Sequence, residues 1–147
     1  MTLINHKKAR FDYEIMDKYE AGIELLGFEV KSLMNKRGSL EGAFVIARGG
    51  EAFLMGANIP PYQAKNTPVV YDPYRTRKLL LKKNEINSLA GKESANGLTI
   101  VPLLMYNKGT KIKIEIAVAR HKKKHDKREL IKKRETGREI RRELKAH

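Results

Sequence analysis

The residues best equipped for chemistry in this 147-residue chain are cations, and they come in three clusters. These are Lys7-Lys8-Ala9-Arg10, then Arg75-Thr76-Arg77-Lys78 with Lys82-Lys83, then residues 122–128. The formal charge is +14 and is unevenly spread. From Arg120 onward 13 Lys/Arg stand against 5 Asp/Glu; the preceding 119 residues carry 18 against 12. Such clusters attract a polyanion: RNA, DNA or an acidic membrane surface. The C-terminal segment lacks the Trp, Phe and Leu face of an interfacial helix, which disfavours a membrane. No apolar run approaches the ~20 residues of a spanning helix. Nucleic acid is the partner that fits best. With no Trp and 7% aromatic residues, a reader that stacks many bases is disfavoured.

Other chemistry is thinly represented. His121 and His125, four apart and followed by Asp126, have a helical metal-ligand spacing. Yet Lys122, Lys123, Lys124, Lys127 and Arg128 surround them and repel a cation, and there is no HExxH order. His125 is better suited to stacking on a base or donating to phosphate, or is simply solvated. There is no cysteine, hence no thiol nucleophile and no disulfide frame. Arg48-Gly49-Gly50 is a single RGG and reads as a turn. Glu24 and Glu29 sit in apolar patterns that nothing marks as an acid/base pair. No active site and no cofactor are read. Glu20 is a carboxylate at the start of an apolar run in a basic protein. It is either a surface ion-pair partner or an acceptor for base amino and ribose hydroxyl groups.

The elements that must hold these residues are mostly strands. Residues 1–9 read as a short basic arm. Residues 10–17 and 20–26 read as two strands, with Phe11, Tyr13 and Ile15 alternating in the first. Residues 27–37 change period and predict a short helix, with Val30, Leu33 and Met34 on its apolar side and Phe28, Lys31 and Ser32 opposite. Residues 43–47 and 52–55 flank Gly49-Gly50 as a hairpin. Residues 57–68, with Pro60, Pro61 and Pro68, read as a loop. Residues 78–81 are a strand or a helix start; residues 83–90 predict a helix stopped by Gly91. Residues 98–106 and 111–119 form a second hairpin around Asn107-Lys108-Gly109, with Ile112, Ile114, Ile116 and Val118 on one face. The expected fold is mainly β: a small closed antiparallel OB-like barrel of about six strands, with two or three flanking helices. Residues 1–119 would form the body. Residues 120–147 would be a basic tail, with too few apolar residues to offset ordering entropy when free and helical on a phosphate-rich surface. No secretory h-region is visible at the N-terminus.

Six segments resemble the small protein B (SmpB) family, tmRNA-binding proteins of bacterial trans-translation. They are KKARFDY (7–13), YEAGIELLGFEVKSL (19–33), GEAFLMGANI (50–59), DPYRTRKLLL (72–81), GLTIVPLLMY (97–106) and KKKHDKR (122–128). The resemblance implies a six-stranded OB-like barrel that binds the elbow and D-loop of the tRNA-like domain of tmRNA. It implies entry, with elongation factor Tu and GTP, into ribosomes stalled on messages lacking a stop codon. The tail would lie as a helix in the vacant mRNA channel. It further implies a cytoplasmic, non-enzymatic protein with no membrane partner. Glu20, Leu80 and Lys82 fall at the family's tmRNA contacts, and Lys7, Lys8, Arg10, Arg75, Arg77 and Lys78 are read with them. Lys122, Lys123, His125, Asp126, Lys127 and Arg128 fall in the tail motif used at the ribosomal decoding centre. His6, Met34, Lys82 and His121 depart from the family pattern, and Lys82 is therefore read as a phosphate contact. The rival reading is a basic OB-type protein that binds structured RNA with no preference for tmRNA.

Overall fold

The computed structural model describes residues 1–63, 70–95 and 97–122. The order is β1 (Thr2–Asn5), α1 (Lys7–Asp12), β2 (Tyr13–Ile23), α2 (Gly27–Met34), β3 (Phe44–Arg48), β4 (Glu51–Met55), β5 (Arg77–Leu80), α3 (Lys83–Glu93), β6 (Leu98–Lys108) and β7 (Lys111–His121). All seven strands pair antiparallel in one sheet, ordered β1-β6-β3-β4-β5-β2-β7. Because β6 also pairs with β7, six strands close into a ring. The seventh, β1, joins β6 beyond the point where β3 leaves it: β3 meets Ile100, whereas β1 meets Leu104–Tyr106.

Alternation decides what the ring encloses. Ile112, Ile114, Ile116 and Val118 of β7 face the interior with Val45, Leu54, Leu79 and Ile100. The opposite parity, Ala117 and Ala119 with Val101 and Leu103, is covered by Ala9 of α1, Tyr13 and Ile15. Two alanines on β7 let the short helix lie close to the sheet. The β6–β7 hairpin runs two residues further than expected: Lys108 pairs with Lys111 and the turn is Gly109-Thr110. Gly109 has φ +63, as its place in the turn requires. The β3–β4 hairpin turns on Gly49 and Gly50, with φ +61 and +76.

Several expectations need correction. Residues 1–9 are no loose arm: Leu3, Ile4 and Ala9 are buried, and β1 extends the sheet. Residues 10–26 hold one strand rather than two. Arg10 and Phe11 belong to α1, and β2 runs through Lys18 and Tyr19, which pair with Ala117 and Ile116; its bulge lies earlier, between Ile15 and Asp17. On α2 the buried residues are Glu29, Ser32 and Leu33, whereas Met34 is 46% exposed. The polar pair turns inward because partners wait there. Ser32 donates to the Pro60 carbonyl at 2.5 Å, and Glu29 meets two arginines. Gly91 does not stop α3, which continues to Glu93; its carboxylate accepts from the Ala47 N–H at 2.8 Å and ties the helix end to β3. β7 extends through Arg120 and His121, past the expected end of the body. Of the expected 57–68 loop, Asn58 bridges to Ser39 and Ile59 is buried; residues 64–68 lie outside the described residues.

Candidate nucleic-acid interface

Strand β5 carries the most informative alternation. Arg77 and Leu79 point inward, while Lys78 and Leu80 point outward. Leu80 is 50% exposed, an unusual place for a leucine in the middle of a sheet. On its β2 side it lies against Gly22; a Cβ there would sit 3.2 Å from the Leu80 Cβ. Beside this contact a groove of about 610 Å³ runs along the β2–β5 seam and the start of α3. Its rim includes Glu20, Lys78, Leu80, Lys82, Lys83 and Lys113. Four residues singled out from the sequence (Glu20, Lys78, Leu80 and Lys82) thus converge from two strands and a helix start. Lys83, named above only as part of a basic cluster, and Lys113 join them. Their signal was available in principle: Lys113 faces away from the core by simple alternation, and Lys83 continues the Lys82 cluster.

The charges of the groove are partly internally matched. Lys78 pairs with Glu51 at 3.2 Å and Lys108 with Glu20 at 3.1 Å. None of the described ion pairs uses Lys82, Lys83 or Lys113. Glu85 closes the first turn of α3 by accepting from the Lys82 N–H at 3.1 Å, which fixes where the lysine starts. Glu20 also accepts a hydrogen bond from the Tyr106 hydroxyl. The Tyr106 and Lys108 donors hold its carboxyl below the ordinary range. Burial and the adjacent Glu20 charge push the Tyr106 phenol upward.

The remaining expected contacts are elsewhere. Lys7, Lys8 and Arg10 are exposed on α1. The Lys122 N–H and Nζ donate to the carbonyls of Asp12 (2.8 Å) and Arg10 (3.0 Å), and Tyr13 meets His121 edge-on at 4.9 Å. This second basic surface lies at the far end of β7, eight residues and roughly 26 Å from Lys113 at ~3.3 Å per residue. Lys123, His125, Asp126, Lys127 and Arg128 lie outside the described residues.

Arg77 must be corrected. Its side chain is fully buried and cannot meet RNA. Its Nε donates to Glu29 at 2.8 Å, and its two Nη groups reach the carbonyls of Ala57, Arg75 and Pro73 and the Tyr71 hydroxyl. Arg75 is only 30% exposed and clamps the same carboxylate at 2.5 and 3.0 Å. A charged hub therefore anchors α2 to the segment leading into β5. Burial pulls the Glu29 carboxyl up, but Arg75, the Leu26 N–H and Arg77 outweigh it, and the net position is low.

A ring of antiparallel strands with a lysine-rimmed groove on its outer wall has the shape and charge expected of a nucleic-acid-binding module. Its particular kind follows from comparison with known proteins. The family model described as SmpB protein matches residues 3–146. The SsrA-binding protein of Synechococcus sp. (strain JA-3-3Ab) is 50% identical over 145 residues, covering 98% of this chain and 94% of that protein. That of Burkholderia vietnamiensis is 46% identical over 146 residues, covering 99% of both. A solved chain from "tmRNA-SmpB: a journey to the center of the bacterial ribosome" aligns with TM-score 0.70 and 42% identity, over 84% of this chain and 87% of that one. The chain belongs to the SmpB protein family.

Proposed function

We propose that this protein binds the tRNA-like domain of tmRNA and brings it to stalled ribosomes for trans-translation. The observation that carries the reading is the convergence of Glu20, Lys78, Leu80 and Lys82 on one groove. A folded RNA finds lysines for its phosphates there, a carboxylate for a base or ribose donor, and a bare leucine for an unstacked base face. Family membership and the likeness to a chain solved with tmRNA support the same partner. In this reading the strand ring is a small OB-like barrel, working in the cytoplasm and catalysing nothing itself. Elongation factor Tu with GTP joins through the tmRNA complex. Lys7, Lys8 and Arg10, beside the origin of the basic segment, extend the RNA contact. Residues 122–128 and those that follow occupy the vacant mRNA channel as a helix.

The test is competition binding at physiological salt. Unlabelled tmRNA should displace labelled tmRNA far better than equal tRNA or duplex RNA does. Equal displacement would favour a general binder of structured RNA. Deleting residues 123–147 should leave most tmRNA affinity while abolishing peptide tagging on stalled ribosomes; loss of both together would contradict the division of labour.

A further inference from the structure

Glu20 stands in an awkward register. On the β2–β7 ladder it lies directly opposite Glu115. Like charges at opposed positions repel and would swing a free glutamate away. The two carboxylates are drawn apart instead. Lys18 holds Glu115 at 3.9 Å, while Tyr106 and Lys108 of β6 hold Glu20. Strand β7 lies between β2 and β6, so Tyr106 must reach across two strand spacings, roughly 10 Å, to make its bond. Tyr106 pairs with Lys113, which pairs with Gly22. The phenol therefore crosses the sheet beside the groove. One Glu20 oxygen accepts from Tyr106, the other from Lys108. Each carboxylate oxygen accepts two bonds, so two acceptor positions are left on a side chain that is 43% exposed.

We propose that Tyr106 is a positioning residue for RNA recognition: it fixes the Glu20 carboxylate as a preset acceptor for a base or ribose donor. The proposal rests on the reading of Glu20 as an RNA contact. Without the phenol, Glu20 would be held only by a lysine on a flexible stem. Ordering the carboxylate would then have to occur during binding, at the expense of affinity. The upward push on the Tyr106 phenol keeps it a donor across the working pH range, and the low position of Glu20 keeps it an acceptor.

The experiment is a double-mutant cycle in the full chain, with the tRNA-like domain of tmRNA as probe. Glu20→Gln, Tyr106→Phe and the double variant are compared by equilibrium binding, by thermal unfolding and by the NMR titration of the Glu20 carboxyl. Tyr106→Phe should weaken binding about five-fold, the equivalent of one ordinary hydrogen bond, with little change in melting temperature. On the Glu20→Gln background it should add no further loss. In Tyr106→Phe the Glu20 carboxyl should titrate at higher pH, because a donor to its charged form has gone. The proposal is overturned if Tyr106→Phe weakens binding equally on both backgrounds, or leaves binding unchanged while Glu20→Gln weakens it. An unmoved Glu20 titration would overturn it without reference to RNA. If Glu20→Gln itself leaves affinity unchanged, the reading of Glu20 fails, and the titration still reports whether Tyr106 holds it.

Discussion

Replacing Glu29 by Gln should cost this protein a large part of its stability. The side chain is fully buried on α2. Its two oxygens accept from the Leu26 N–H at 2.7 Å, from Arg75 Nη2 and Nε at 2.5 and 3.0 Å, from Arg77 Nε at 2.8 Å and from the Tyr71 hydroxyl at 2.9 Å. A glutamine keeps the shape but offers one acceptor, and turns an amide donor toward donors. Arg77, with no exposed surface, is left without its anion. Removing one member of a buried pair costs about 3–5 kcal/mol, against a total of roughly 5–15 kcal/mol for a typical domain. At ~3–5 °C per kcal/mol for a domain of this size, the melting temperature should fall by on the order of 10–20 °C, followed by far-ultraviolet circular dichroism at pH 7. The pH dependence has a definite sign. The net position of Glu29 is low in the fold, so its stabilisation is present above the unfolded value near ~4.3 and is lost as pH falls through the folded value. The gap between wild type and Glu29→Gln should therefore shrink below about pH 4. A loss under about 3 °C at pH 7, or a gap that ignores pH, would refute the reasoning.

Tyr71 governs the opposite limb. Burial and then Glu29 push its phenol up to about 12, so the neutral form stabilises the fold below the unfolded value near ~10, and that contribution fades as pH rises toward the folded value. Tyr71→Phe should flatten this alkaline decline, read by urea unfolding between about pH 9 and 12. Gly22→Ala would press a methyl against Leu80. It should weaken tmRNA binding several-fold in a filter or fluorescence assay, while costing about 1 kcal/mol or less of stability, since the obstructing side chain is half-exposed and can yield. Unaltered affinity would mean that the Leu80 position does not matter.

Much of the sheet was legible because alternation is a direct imprint of a two-sided strand. Ile112, Ile114, Ile116 and Val118 declared the inner face of β7, and Gly49-Gly50 declared a turn. What escaped was non-local. Strand β1 offers four residues, too few for a period to register, and is held by β6, about a hundred positions away. Arg77 was read with its cationic neighbours, although it shares parity with the buried Leu79. The reason for its burial, Glu29, lies 48 positions earlier and reads locally as a helix carboxylate. The groove was invisible to periodicity, since Glu20, Leu80 and Lys82 meet only through the order β5-β2-β7. Family resemblance pointed to those residues one by one; the seam beside Gly22 is where the fold brings them together.

RNA gripped by the groove beside Leu80 should feel the charge of the groove's lysines more than charge elsewhere on the surface. The most direct measurement compares tmRNA affinity in two full-length charge-reversed variants, Lys78→Glu/Lys82→Glu in the groove and Lys31→Glu/Lys36→Glu on and just after the exposed end of α2, both confirmed folded by circular dichroism. The groove pair should lose at least about a hundred-fold, roughly the effect of converting two phosphate contacts to repulsions, and the control pair only a few-fold. Equal losses in the two variants, or a groove variant that binds as wild type does, would contradict RNA binding in the groove.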